Sequence, residues 1–184
     1  MTDLVHKIIA LHAHLAGAAL PHAFGGALAL AWCTARARGT IDIDVNVFIP
    51  DTAFIKVLDA LPADVNVTRN DSAILKRDGQ ARVWWDKTPV DLFLNTTTFH
   101  LELEARIRWE AFGGRQIPFL SCYDLAVFKA FFNRTRDWAD LEEMQNAGTL
   151  DVARLKMTLA EFLGEDDERI DRLSLIAKVP PVAN

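Results

Sequence analysis

Only two cysteines, Cys33 and Cys122, occur in this 184-residue chain. Each lies beside apolar residues, and two are too few for a disulfide framework or a cysteine-built zinc site. Buried free thiols are the expected state. Long apolar runs are missing too, and none approaches the length that spans a bilayer. Asp3 and His6 interrupt the N-terminus before any h-region, so no secretory leader is expected and a cytoplasmic location is the default. Positive charge is in deficit. Twenty Lys and Arg stand against 25 Asp and Glu, for a net charge of −5. That balance excludes a broad nucleic-acid footprint, although a local basic groove remains compatible with it. There are no internal repeats and no low-complexity linker. His6, His12 and His14 crowd the first helix, but His12 and His14 do not share a face, so a histidine metal site is not expected.

What the chain does have is apolar content, 51% hydrophobic residues, enough for one domain with a real core and a small appendage. Leu4, Ile8, Leu11 and Leu15 predict a helix from Thr2 to about Ala16, capped by Thr2 or Asp3. Leu20 to Phe24 reads as a short strand, and Gly25-Gly26 turns it into a helix over Ala27 to Ala35. Ile41, Ile43, Val45, Val47 and Ile49 then alternate with Asp42, Asp44, Asn46 and Phe48, the period of a strand with one apolar face. Asp51 is placed to cap a helix through Leu61, with a short strand over Val65 to Thr68. Asp78-Gly79 reads as a turn before a strand from Gln80 to Asp86, with Trp85 in the core and Trp84 a weaker candidate for stacking on a substrate. Val90 to Leu94 forms another strand, with Asp91 on the face opposite Val90, Leu92 and Leu94.

Beyond Gly113-Gly114, which joins a hairpin (Ala105 to Phe112, Ile117 to Leu120), the pattern becomes helical. Ser121 and Asp124 open a helix with Leu125, Phe128 and Phe132 as its buried stripe, and Asp137 and Asp151 are placed as later caps. A charged helix over Asp166 to Ile176 precedes a loose tail at Pro180-Pro181. The expected organisation is a core over residues 1–120 and a small helical section over 121–184 packed on it.

The chemistry concentrates between Phe24 and Asp91. Asp42 and Asp44 point the same way from one strand, with Cα atoms roughly 6.5–7 Å apart. Adjacent carboxylates raise the cost of ionising each other, and a divalent cation between them removes that cost. Mg²⁺ favours one or two carboxylates plus substrate phosphates. The glycine pair before a helix offers backbone amides to an anion.

Gly25-Gly26, then Asp42-x-Asp44, then a distant Asp91 resembles the polymerase-beta-type nucleotidyltransferase superfamily. Gly25-Gly26-Ala27-Leu28-Ala29-Leu30, with Arg38-x-Thr40-x-Asp42-Ile43-Asp44, is similar to the AbiEii-type branch, whose members include toxins of abortive-infection and toxin–antitoxin systems. So is the run Leu120-Ser121-x-x-Asp124-Leu125, Lys129-Ala130, Arg136-Asp137-x-x-Asp140-Leu141. The likeness covers about residues 20 to 145. The Phe131-Phe132-Asn133-Arg134-Thr135 segment is less basic than that branch would have. The resemblance implies an α+β nucleotidyltransferase fold, a mixed twisted sheet backed by helices. It implies transfer of a nucleoside monophosphate from an NTP to RNA, tRNA, protein or a small molecule. Asp42, Asp44 and Asp91 would bind Mg²⁺ or Mn²⁺, with Asp91 also activating the acceptor. Gly25, Gly26 and Thr40 would meet the nucleotide, Lys129 its phosphates, and Asp137 would support the site. An antitoxin protein would be a partner if the chain is a toxin. Two other functions use the same features: a catalytically silent, antitoxin-like binding protein, and a small-molecule transferase of the aminoglycoside-modifying kind.

Overall fold

Alternation and capping, followed along the chain, account for most of the elements in the computed structural model, which describes residues 3–36 and 39–177. In order these are α1 (Leu4–Gly17), β1 (His22–Phe24), α2 (Gly26–Thr34), β2 (Ile43–Pro50), α3 (Phe54–Ala60), β3 (Val65–Asn66) and α4 (Arg69–Asp78). Then come β4 (Gln80–Trp85), β5 (Thr88–Asn95), β6 (Arg108–Phe112), β7 (Arg115–Phe119), α5 (Cys122–Phe132), α6 (Thr135–Asn146), α7 (Val152–Leu163) and α8 (Glu168–Ile176). Thr2, Arg38, Pro180 and Pro181 lie outside the described residues. No helix among the described residues is long and apolar enough to cross a membrane. The chain divides into two compact units, one formed by Met1–Leu28 with Gly39–Leu120 and one by Ala29–Arg38 with Ser121–Asn184.

The first unit holds a seven-stranded sheet in the order β3-β4-β5-β2-β1-β7-β6. The sheet is mixed: β2 runs parallel to β5 and β1 to β7, and the other neighbours are antiparallel. Its core is the alternation read from sequence. Ile43, Val45 and Val47 of β2 and Val90, Leu92 and Leu94 of β5 are all buried, as are Ile8, Leu11 and Leu15 of α1. Lys7 of α1 is buried among them because its charge is met. Its Nζ donates to Trp85 O at 2.7 Å and Thr88 Oγ1 at 3.0 Å, and lies 3.1 Å from Asp86. A lysine stem spans the apolar layer and its head satisfies the turn between β4 and β5.

Three expectations need correction here. The strand carrying the aspartates starts at Ile43; Ile41 is 71% exposed, and Asn46 and Phe48 on the supposedly open face are buried. A central strand is covered in part on both faces, which a strict alternation does not reveal. Asp51 does not cap α3: residues Asp51–Ala53 form a 3₁₀ turn, and the N-cap of α3 is Ala53, without a side-chain capping bond. Asp78-Gly79 is not a hairpin turn but the end of α4, with Gly79 left-handed at φ 67°. The α4 helix escaped notice because only Leu75 is buried, leaving no apolar stripe, yet its start is signalled by a capping box between Thr68 and Asp71.

The second unit is helical. Trp138, Leu141 and Met144 of α6, Leu155 and Leu159 of α7 and Leu173 of α8 are buried. Ser121 and Asp151 cap α5 and α7 through their side chains. The free-thiol expectation fails: Cys33 of α2 and Cys122 of α5 form a disulfide, with Cα atoms 5.5 Å apart and a sequence separation of 89. The helical period of each segment shows which residues are buried but not which segments meet. The bridge joins the two chain pieces from which this unit is built.

In the first unit His22, 5% exposed, donates from Nδ1 to Leu20 O at 2.8 Å. Its Nε2 is therefore the acceptor at 2.9 Å from His12 Nδ1. Burial lowers the His22 pKa to about 4, the Leu20 carbonyl opposing and His12 adding to the fall. The unfolded chain binds this proton near pH 6.5, so stability is full above that value and falls as pH drops from 6.5 toward 4. The loss from this residue is expected to reach at most about 3 kcal/mol. Urea unfolding of wild type and His22→Gln across this window checks it; equal pH slopes would exclude the histidine as the source. A second prediction concerns the bridge. Reduction, or Cys33→Ser, should cost about 2–5 kcal/mol. An unfolding midpoint indifferent to reductant would refute it.

Candidate active site

The acids are assembled by strand register. Parallel pairing of β2 with β5 sets Asp44 opposite Asp91, and antiparallel pairing of β4 with β5 sets Arg82 opposite Asp91. Asp44, Asp91 and Arg82 therefore form one row across three adjacent strands. Residues in such a row project from the same face. Asp42 precedes β2 by one residue.

Arg82 is the hub of this row. Its Nε donates to Asp91 Oδ1 at 2.7 Å and its Nη2 to Asp91 Oδ2 at 2.6 Å, a two-pronged bond to both carboxylate oxygens. The same Nη2 lies 3.8 Å from Asp42 Oδ2. Hydrogen bonding to Asp91 holds the guanidinium's pKa above its ordinary value. Burial opposes this, and the charges of Asp91, Asp42 and Asp44 add to it. All three acids thus act on one cation. Arg82 did not stand out in the sequence; the available signal was its place with Gln80 and Trp84 on the exposed face of a strand whose other residues, Ala81, Val83 and Trp85, are buried.

The flanking residues fix these carboxylates. Thr40 Oγ1 accepts from Asp42 N at 3.2 Å and lies 3.2 Å from Asp42 Oδ1, so Thr40 orients Asp42. Gly25 N donates to Asp44 O at 2.9 Å, holding the glycine turn against β2. Gly26 is left-handed at φ 53°, and a Cβ there would meet Asp44 Oδ2 at 1.8 Å. At Gly25 the nearest atoms, Asn46 Nδ2 and Leu120 Cδ1, would lie at 3.2 Å. The glycine pair is thus shaped around the Asp44 carboxylate, with Gly26 under the stricter demand.

As the side chains stand, no three His, Cys, Asp or Glu among the described residues are arranged to hold a metal ion. The donor chemistry nevertheless fits one. The set is all carboxylate oxygen, the ligand type of Mg²⁺ and Mn²⁺, and a cation already sits among it in the form of Arg82.

Lys129 and Asp137 belong to the second unit. There Lys129 is buried and donates to Asp140 Oδ2 at 2.6 Å, with Asp137 Oδ1 at 3.6 Å. Asp137 also accepts from Arg134 N and Nε, closing the start of α6. Phe132, expected in the buried stripe, is 39% exposed, while Lys129, expected at the nucleotide phosphates, is 7% exposed. The reason is the partner: two acids on α6 compensate the ammonium, and periodicity within α5 cannot show them. Trp85 is in the core and Trp84 is exposed.

Gly26→Ala should displace the Asp44 carboxylate and cost more than about 1 kcal/mol, because the left-handed strain adds to the clash. Gly25→Ala should cost less. Thermal melts of the two variants side by side test the order; equal losses would show that the Asp44 carboxylate does not set the glycine requirement.

No protein-family model matches the chain, and no curated protein matches it. Solved structures do. Two structures of ANT(2″)-Ia, an antibiotic-resistance factor, are similar to it. The solution structure has a TM-score of 0.59 at 14% identity, covering 86% of this chain and 90% of that one. The crystal structure, in complex with adenylyl-2″-tobramycin, has a TM-score of 0.60 at 16% identity, covering 86% and 94%. An antigenic nucleotidyltransferase-like protein from Paracoccidioides brasiliensis is similar at a TM-score of 0.54 and 14% identity, covering 97% and 94%. The mixed seven-stranded sheet with its helices is therefore the nucleotidyltransferase fold.

Proposed function

We propose that this protein transfers a nucleoside monophosphate from an NTP to an acceptor hydroxyl with the help of Mg²⁺ or Mn²⁺. The observation that carries this reading is the register of Asp44 against Asp91 on central parallel strands, with Asp42 at the entrance to β2. Phosphoryl transfer asks for in-line positioning and neutralised charge rather than a covalent catalyst, and carboxylates on a rigid sheet serve both by fixing a divalent ion in place. Asp42 and Asp44 would hold the divalent ion, which when bound neutralises triphosphate charge and polarises the phosphoryl oxygens. The Gly25 and Gly26 amides at the start of α2 take phosphate oxygens. Asp91 would hold a second divalent ion and help to take the proton of the acceptor hydroxyl. The acceptor oxygen bonds to the α-phosphorus, the bond to the bridging oxygen breaks, and pyrophosphate leaves. Thr40 serves by orienting Asp42. Lys129 and Asp137, tied to Asp140 and Arg134, serve by holding the α5 and α6 helices together.

The acceptor is a small hydroxyl compound in the reading we favour, since the likeness to ANT(2″)-Ia covers nearly all of that chain. A second reading, RNA modification by an AbiEii-like toxin held in check by an antitoxin, rests on the Gly25-Gly26 and Asp42-x-Asp44 motifs together with the later helical run. Incubation with each α-labelled NTP, Mg²⁺ or Mn²⁺, and in separate arms an aminoglycoside set, total RNA and lysate protein distinguishes these. Label should enter one arm and vanish in Asp44→Asn and Asp91→Asn. Absence of labelled product in every arm, with no divalent-dependent NTP binding, would overturn the reading.

A further inference from the structure

We infer that Arg82 is a resident counter-cation that withholds Asp91 from a divalent ion before nucleotide binds and passes to the phosphates when NTP binds. This inference rests on the proposed nucleotidyl transfer and gives that site an order of loading. Both oxygens of Asp91 are taken by the Arg82 fork, at 2.7 and 2.6 Å, and the guanidinium also lies 3.8 Å from Asp42. A metal ion and a guanidinium cannot both occupy that space, since like charges at such a distance repel strongly. The fork also explains why carboxylates brought together by register do not stand as a metal cluster.

Two features let Arg82 leave. Its side chain is 49% exposed and so only partly packed, whereas the Asp91 side chain is 18% exposed and stays with its strand. A planar guanidinium also binds phosphate with the same two-pronged geometry that it uses on a carboxylate. A triphosphate seated on the glycine turn beside Asp44 therefore offers Arg82 an alternative anion. Its departure frees Asp91 to take the acceptor proton. Arg82 is a positioning residue before binding and a phosphate ligand after it.

Mn²⁺ binding to the full-length protein without nucleotide tests this, followed by paramagnetic resonance of free Mn²⁺ and repeated with a non-hydrolysable NTP analogue. Arg82→Gln should bind Mn²⁺ alone about tenfold tighter than wild type. It should bind the analogue more weakly, and its melting temperature without metal should fall and be restored by Mn²⁺. Arg82→Lys keeps the charge without the fork and should fall between the two; it carries the test if Arg82→Gln does not fold. Unchanged or weaker Mn²⁺ affinity in these variants would make Arg82 a plain structural clamp and overturn the inference. The two readings fail differently. If wild type binds Mn²⁺ and analogue in an Asp44-dependent way while the Arg82 variants match it, only this inference falls. If wild type binds neither, nucleotidyl transfer falls with it.

Discussion

Carboxylates gathered on one face of a sheet repel one another, and a fold that places them there must supply a positive charge. In this protein the supply comes from the neighbouring strand. Arg82 on β4 meets Asp91 on β5, which is opposite Asp44 on β2, and the arrangement is set by backbone pairing rather than by side-chain choice. A slip of one residue in either pairing would turn a member of the row to the buried face, among Val45, Val83 and Leu92. The apolar alternation that builds the core is thus the same device that aligns the charged row. Core and site are two faces of one register.

The glycine turn obeys the same constraint from another side. Gly26 is required because a carboxylate oxygen occupies the space where a side chain would begin. The phosphate contact proposed for it and the room it makes for Asp44 need not be separated, since both depend on a bare backbone approaching the strand. Thr40 completes the frame by tying the Asp42 side chain to the Asp42 backbone. The carboxylate face is therefore constrained from the strand, the turn and the loop before the strand at once.

Much of this was legible in the residues. Asp42, Asp44 and Asp91 could be found because they interrupt otherwise apolar alternation, and Gly25-Gly26 because a glycine pair between a strand and a helix has few structural uses. The mixed α+β fold was implied by the family resemblance that these motifs carry, and the strand and helix periods agree with it. What was not legible depended on partners distant in sequence. The bond from Arg82 to Asp91 needs the pairing of β4 with β5. The burial of Lys129 needs Asp137 and Asp140 from another helix, and the Cys33–Cys122 bridge needs α2 and α5 to meet. The α4 helix was hidden for a different reason: it is stabilised mainly at its ends, by the Thr68–Asp71 box and Gly79, and offers little apolar periodicity to read.

The division of α2 between the two units has a consequence for how such a protein is made and how its gene can be cut. The segment from Ala29 to Arg38 leaves the ribosome before any strand after β1, yet the helices with which it forms a unit come only after Leu120. It must wait while the whole remainder of the sheet is synthesised, with Cys33 lacking its partner until Cys122 emerges. No single break in the chain separates the units, because each is built from two separate stretches of sequence. A shortened gene ending at Leu120 would still encode the first piece of the helical unit, including Leu30 and Cys33, both buried in the full chain.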